Sequence, residues 1–164
     1  MARARPIDGL TAEEPYAAAA AKIVAVRARE VADHSRGVLD MDDVERVHDM
    51  RVATRRLRAA LEVFEPCFPA EQLEEALREV KAIADALGDR RDTDVAITAL
   101  KEFASGLAAP DRPGVRSLVE GIRRDQAEAN AELEAYVGAP RLAALSERLS
   151  ELVMEAEAIA PEAT

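Results

Sequence analysis

The spacing of apolar residues along the chain has a helical period. Between Pro69 and Gly88 the apolar residues Leu73, Leu77, Val80, Ala84 and Leu87 follow one another at steps of four and three. Residues separated by three, four and seven positions share one face of an α-helix. Residues 44–64 repeat this spacing with Met50, Leu57, Leu61 and Phe64. No stretch of useful length alternates apolar and polar residues as a strand does, so the pattern predicts an all-α protein.

Glycine and proline divide the sequence into six predicted helices, because both residues favour helix ends and turns. The first predicted helix begins near Thr11–Pro15 and ends at about His34, and the second begins after Asp40 or Asp42 and ends before Pro66. The remaining four span about residues 69–88, 92–106, 115–138 and 140–159. Several connections, including the third-to-fourth and the fifth-to-sixth, are only a few residues long, which favours antiparallel neighbours. We therefore predict a single antiparallel helical bundle over residues 11–160, with disordered segments at 1–10 and 161–164.

Charge and composition limit the partners of this chain. It has 164 residues with a net charge of −10, and aromatic residues make up 3 %. A strongly negative protein repels nucleic acid, and few aromatic side chains are available to stack on bases. The apolar stretch around Ala17–Val26 contains Lys22 and is too short to span a bilayer. Cys67 is the only cysteine, so nothing in the sequence needs an oxidising compartment. Taken together, these features lead us to expect a soluble cytoplasmic protein with neither a membrane nor a nucleic acid as its partner.

One predicted helix is basic against this acidic background. Residues 44–61 contain five arginines and two carboxylates and thus carry +3. At about 100° per residue, His48, Arg51, Arg55 and Arg58 share a sector of about 80°. Arginine forms bidentate contacts with phosphate, and a bound polyanion would balance the repulsion between these guanidinium groups. The alternative is a solvated helix face with ordinary salt bridges.

A second basic cluster lies in the string LGDRRDTDV at residues 87–95. Arg90 and Arg91 stand at the predicted start of a helix, where free N–H groups favour a phosphate; alternatively, Asp92 caps that helix and the arginines are solvated. Lys81 borders an apolar face and can lean toward the basic helix. His48 has no second His or Cys at ligand spacing, so we predict no metal site.

The strings VHDMRVATRRLRAALEVF (residues 47–64) and LGDRRDTDV together resemble the signature of CHAD domains. That family consists of histidine-containing helical domains that bind inorganic polyphosphate. The resemblance covers about residues 12–160 and is to the N-terminal half of the usual domain. It implies that polyphosphate is contacted by His48, Arg51, Arg55, Arg56, Arg58, Lys81 and Arg91.

The leading hypothesis is a binding module for polyphosphate that is not an enzyme and needs no cofactor. A metal-dependent phosphohydrolase would require a positioned nucleophile or base and usually a metal cage, and the sequence shows no such arrangement. A second alternative is a structural or regulatory helical partner whose basic helix docks an acidic protein. The second basic wall of full-length relatives has no counterpart in this sequence, and a homodimer would supply it by symmetry.

Overall fold

The computed structural model describes residues 3–160, and these residues form five α-helices and no strand. The helices are α1 (Tyr16–His34), α2 (Val44–Val63), α3 (Ala70–Ser105), α4 (Arg112–Val137) and α5 (Ala139–Ile159). Single 3-10 turns at Glu65–Cys67 and Ala109–Asp111 precede α3 and α4. The predicted all-α class is confirmed. Within residues 3–160, every helix is too short or too polar to cross a membrane.

Residues 3–160 form five α-helices and not the six predicted, because α3 does not end at Gly88. It runs through this glycine and is 36 residues long in all. A glycine inside a helix costs only about 1 kcal/mol relative to alanine. The buried positions keep helical spacing on both sides of it, at Leu73, Ala76, Val80, Ile83, Ala86, Leu87, Arg90, Asp94 and Ile97. Packing along this stripe outweighs the local cost, and the hairpin predicted between residues 88 and 92 does not form.

The main helix contacts form the spatial order α5, α1, α2, α3, α4. α1 contacts α2 and α5, α2 contacts α1 and α3, and α4 lies along α3. α4 and α5 are joined directly at Gly138 but share few contacts, because α4 packs on α3 while α5 packs on α1. The short connection predicted here is present, and the two helices diverge from it.

The apolar core lies between α1, α2, α3 and α5 and is closed at one end by Leu133 and Val137 of α4. The second half of α3 and the first half of α4, residues 90–130, extend beyond this core. We call this part the α3–α4 arm. Its buried residues Ile97 and Val119 are outside the main apolar cluster, so polar contacts carry more of the packing in the arm.

Residues 3–15 contain no helix and run beside α1. The backbone N–H of Arg5 donates to Glu30 Oε1 at 2.5 Å, and Lys22 Nζ donates to the Gly9 carbonyl oxygen at 2.6 Å. α1 begins at Tyr16, one residue after the predicted start at 11–15, and ends at His34, as predicted. The segment 161–164, predicted to be disordered, lies outside the described residues, as do residues 1 and 2.

Candidate anion-binding surface

α2 presents its basic residues beside its buried side. Val47, Met50, Leu57 and Leu61 are all fully buried against the neighbouring helices. We call the adjoining surface the basic face, defined by His48, Arg51, Arg55 and Arg58. His48 and Arg51 are half-buried, whereas Arg55 and Arg58 are exposed. The four side chains follow helical geometry, so they lie next to one another along three turns of α2.

Most of the basic face has no anionic partner among the residues that the structure describes, 3–160. Arg58 Nε is 2.8 Å from Glu62 Oε1, in an ion pair whose two side chains are nearly half exposed. His48, Arg51 and Arg55 make no hydrogen bond or ion pair with any residue from 3 to 160. Two guanidinium groups and an imidazole therefore remain available to a ligand.

Arg91 of α3 reaches the N-terminal end of α2. Its Nη1 atom donates to the Val44 carbonyl oxygen at 3.4 Å and lies 3.9 Å from Glu45 Oε1. The Arg91 side chain is 22 % exposed. His48 follows Val44 by one helical turn. Arg91 therefore adds a basic group from a different helix at the His48 end of the basic face.

Lys81 lies level with the middle of the basic face. α2 and α3 are antiparallel neighbours, and the contact between Arg91 and Glu45 sets their register. Lys81 precedes Arg91 by ten residues, and Arg55 follows Glu45 by ten residues. At about 1.5 Å per residue, both steps cover about 15 Å along the helix axes. The exposed ammonium group of Lys81 makes no ion pair among residues 3–160.

Arg56 faces a different neighbour. It is rotated by about 100° from Arg55 around the α2 axis and acts on Glu30 of α1, which is 1 % exposed. Burial raises the pKa of Glu30. Hydrogen bonds from the Arg5 N–H and the Arg27 guanidinium, together with the charges of Arg27 and Arg56, lower this pKa by more than burial raises it. The net pKa is below its ordinary value, so Arg56 stabilises a buried carboxylate on the α1 side.

The phosphate site predicted at a helix start near residues 87–95 is wrong, because no helix begins there. Asp92 lies inside α3, where the backbone N–H groups bond within the helix and cannot cap a phosphate. Arg90 is also not solvated, since its side chain is fully buried. Of the two arginines in this string, only Arg91 reaches the α2 surface.

Arg90 belongs to a buried polar network that the sequence did not predict. Its Nε atom donates to Asp94 Oδ1 at 3.1 Å, and its Nη1 atom donates to Asn130 Oδ1 at 2.8 Å. Gln126 Nε2 donates to the same Asp94 oxygen at 2.6 Å, and Asn130 Nδ2 donates to the Leu39 carbonyl oxygen at 3.1 Å. The network thus joins α3, α4 and the loop that precedes α2.

A possible set of metal ligands borders the basic face. Potential ligand atoms of Glu45, His48 and Asp49 lie within 4.8 Å of one another. The prediction of no metal site at His48 rests on the lack of His and Cys partners, whereas the two neighbours found here are carboxylates. Glu45 already faces the Arg91 guanidinium, whose positive charge opposes a cation at that carboxylate. This group therefore carries no metal assignment.

Comparison with known proteins places this surface within one family match. A family model described as CHAD domain matches residues 22–164. The matched segment includes α2, α3, α4, α5 and most of α1, with all seven predicted polyphosphate contacts. No curated protein and no solved structure shows a significant match.

Proposed function

This chain belongs to the CHAD domain family, and on that premise we propose that it binds inorganic polyphosphate through the basic face of α2, with Lys81 and Arg91 of α3. One observation carries the proposal. Arg51, Arg55 and Lys81 have no anionic partner among residues 3–160, although the chain has ten more acidic than basic residues.

Several other surface arginines of the chain are neutralised, whereas Arg29 and Arg124 stand singly without an ion pair among residues 3–160. Arg46 pairs with Asp43 at 3.0 Å, Arg141 pairs with Glu79 at 3.0 Å, and Arg148 pairs with Glu75. Carboxylates are abundant, so a solvated face laced with salt bridges would pair its neighbouring arginines with them. Arg51 and Arg55 lie one turn apart and, with Lys81 level with them, make no ion pair among residues 3–160, and this clustering favours an external anion over internal salt bridges.

A linear anion suits this arrangement because its charges repeat. Each exposed arginine–phosphate contact contributes only about 0.2–1 kcal/mol. Contacts along one chain add up, since the first contact holds the next phosphate close to its partner. Binding releases counterions, so the affinity should fall as salt concentration rises.

We propose a binding role rather than hydrolysis. Hydrolysis needs a positioned base or nucleophile, and two carboxylates beside the basic face already face arginines: Glu62 bonds to Arg58, and Glu45 faces Arg91. We also propose a cytoplasmic location, since the lone, buried Cys67 needs no oxidising compartment. Polyphosphate binding would place the protein at polyphosphate granules. A homodimer that sets two basic faces around one anion would strengthen binding.

The test is a double charge reversal on the basic face. Arg51→Glu with Arg55→Glu should weaken binding of long-chain polyphosphate ten- to hundredfold, on the order of 1–3 kcal/mol. The measurement is isothermal titration calorimetry at two salt concentrations, with circular dichroism to verify the helical fold. The matched control is Arg29→Glu with Arg124→Glu, because both side chains are exposed and make no ion pair within residues 3–160.

The control has the same change in net charge and should bind like the wild-type protein. Equal losses in the two double variants would mean that net charge, and not this surface, determines binding. An acidic peptide that binds the basic face more tightly than polyphosphate would favour the alternative role of docking an acidic protein.

A further inference from the structure

A second set of cations lies in the α3–α4 arm, away from the basic face, and has no anionic partner in the described part of the chain. Lys101, Arg116 and Arg123 are exposed and make no hydrogen bond or ion pair with residues 3–160. Arg112 uses one nitrogen, Nε, to donate to the Leu107 carbonyl oxygen at 3.1 Å, and its Nη groups make no bond in this part of the chain. These four side chains are not among the predicted polyphosphate contacts.

The four cations line one cleft between the end of α3 and the start of α4, with a volume of about 380 Å³. We call it the arm cleft. Its apolar lining comes from Ala104, Val115 and Val119, and its one carboxylate is Glu120. The residues that line it therefore carry +3, in a chain whose net charge is −10.

Distance along α3 separates the arm cleft from the basic face. Lys101 follows Arg91 by ten residues of α3, or about 15 Å. An adjoining cavity of about 350 Å³ shares Lys101 and Arg123 with the arm cleft and is also lined by Asp42 and Asp94, of which Asp94 is buried and paired with Arg90. The separation exceeds the Debye length of about 8 Å at physiological salt. The charges of Arg91 and Lys101 are therefore largely screened from each other, and we treat the arm cleft as a distinct site.

We propose that the arm cleft binds a compact organic polyanion, a molecule with two or more phosphate or carboxylate groups on an apolar body. Its volume is in the range of small-molecule pockets, which combine apolar walls with a few convergent polar groups. The cations would hold the anionic groups, and Val115 and Val119 would contact the apolar body. Inorganic polyphosphate has no apolar part to cover these two valines.

The test uses ATP and inorganic tripolyphosphate as probes in calorimetric titrations of the full chain. Arg116→Glu with Arg123→Glu should weaken ATP binding at least about tenfold. Arg29→Glu with Arg124→Glu is the matched control and should bind ATP like the wild-type protein. Circular dichroism verifies that each variant is folded. Because of the apolar contacts, we expect ATP to bind more tightly than tripolyphosphate.

The variant with Arg51→Glu and Arg55→Glu separates this proposal from the polyphosphate proposal. It should keep ATP affinity at the wild-type level even though it loses polyphosphate. The arm cleft proposal is overturned if ATP does not bind the wild-type protein at millimolar concentration, or if the cleft variant binds ATP unchanged. It is also overturned if the basic-face variant loses ATP to the same extent, or if tripolyphosphate binds as tightly as ATP.

Discussion

Removing one partner of the buried Arg90–Asp94 pair should be more damaging than removing both. Both side chains are 0 % exposed, and the Arg90 Nε–Asp94 Oδ1 distance is 3.1 Å. Asp94→Leu leaves the Arg90 guanidinium charged and buried, with Asn130 as its only hydrogen-bond acceptor among residues 3–160. Breaking a buried ion pair in this way costs about 3–5 kcal/mol of the free energy of unfolding.

The double variant Arg90→Met with Asp94→Leu removes both buried charges and fills the space with apolar atoms. Its remaining cost comes from two amide groups. Gln126 loses its acceptor and Asn130 loses a donor to its Oδ1 atom, which together should cost about 1–3 kcal/mol. We therefore expect the double variant to be more stable than Asp94→Leu alone, so that the two substitutions are strongly non-additive.

Urea denaturation followed by circular dichroism measures these free energies. Arg148→Met is the surface control, because Arg148 and its partner Glu75 are nearly half exposed, and its cost should be at most about 1 kcal/mol. If Asp94→Leu fails to fold, a folded double variant still supports the reasoning. The single variant Arg90→Met completes the comparison. A loss of unfolding free energy in the double variant that equals the sum of the losses in Asp94→Leu and Arg90→Met would refute the reasoning.

Two further predictions concern single residues. Gly88→Ala should raise the free energy of unfolding by about 0.5–1 kcal/mol, since alanine is a better helix former and an added Cβ would meet no atom within 4 Å; a lower thermal midpoint would contradict this. Glu30 has a lowered pKa in the fold, so protonation destabilises the fold as pH drops below the ordinary value of about 4.5. Glu30→Gln should remove that part of the acid sensitivity, up to about 1.4 kcal/mol per pH unit, in unfolding titrations between pH 3 and 5. The same slope in wild type and variant would refute the assignment.

The helical architecture could be predicted largely from local sequence signals. The ends of α1 at His34 and of α5 at Ile159 match the predicted ends, because apolar spacing and nearby Gly or Pro act on the same few residues. The helix end predicted at Gly88 is wrong, because the free-energy cost of a glycine inside a helix is outweighed by the packing of Arg90 and Asp94 on the same helix. Those two residues look solvated in the sequence and become buried only when α4 supplies Gln126.

The candidate surfaces were predictable to different degrees. Arg51 and Arg55 lie on one side of α2 by helical geometry alone. The position of Arg91 depends on the α2–α3 register, which no local pattern specifies. The arm cleft was missed because its cations come from two helices, although Arg116 and Arg123 show a usable signal: they share a helix face with Arg112 at spacings of four and eleven residues.

The continuity of α3 gives the proposed polyphosphate site a fixed length. Lys81 and Arg91 lie on the same unbroken helix, nearly three turns and about 15 Å apart along its axis. An anion shorter than this distance would have to draw both side chains toward it to contact both. A longer anion gains the second contact at high effective concentration. Had α3 ended at Gly88, the two cations could approach each other and short anions would compete equally; the unbroken helix instead favours long chains.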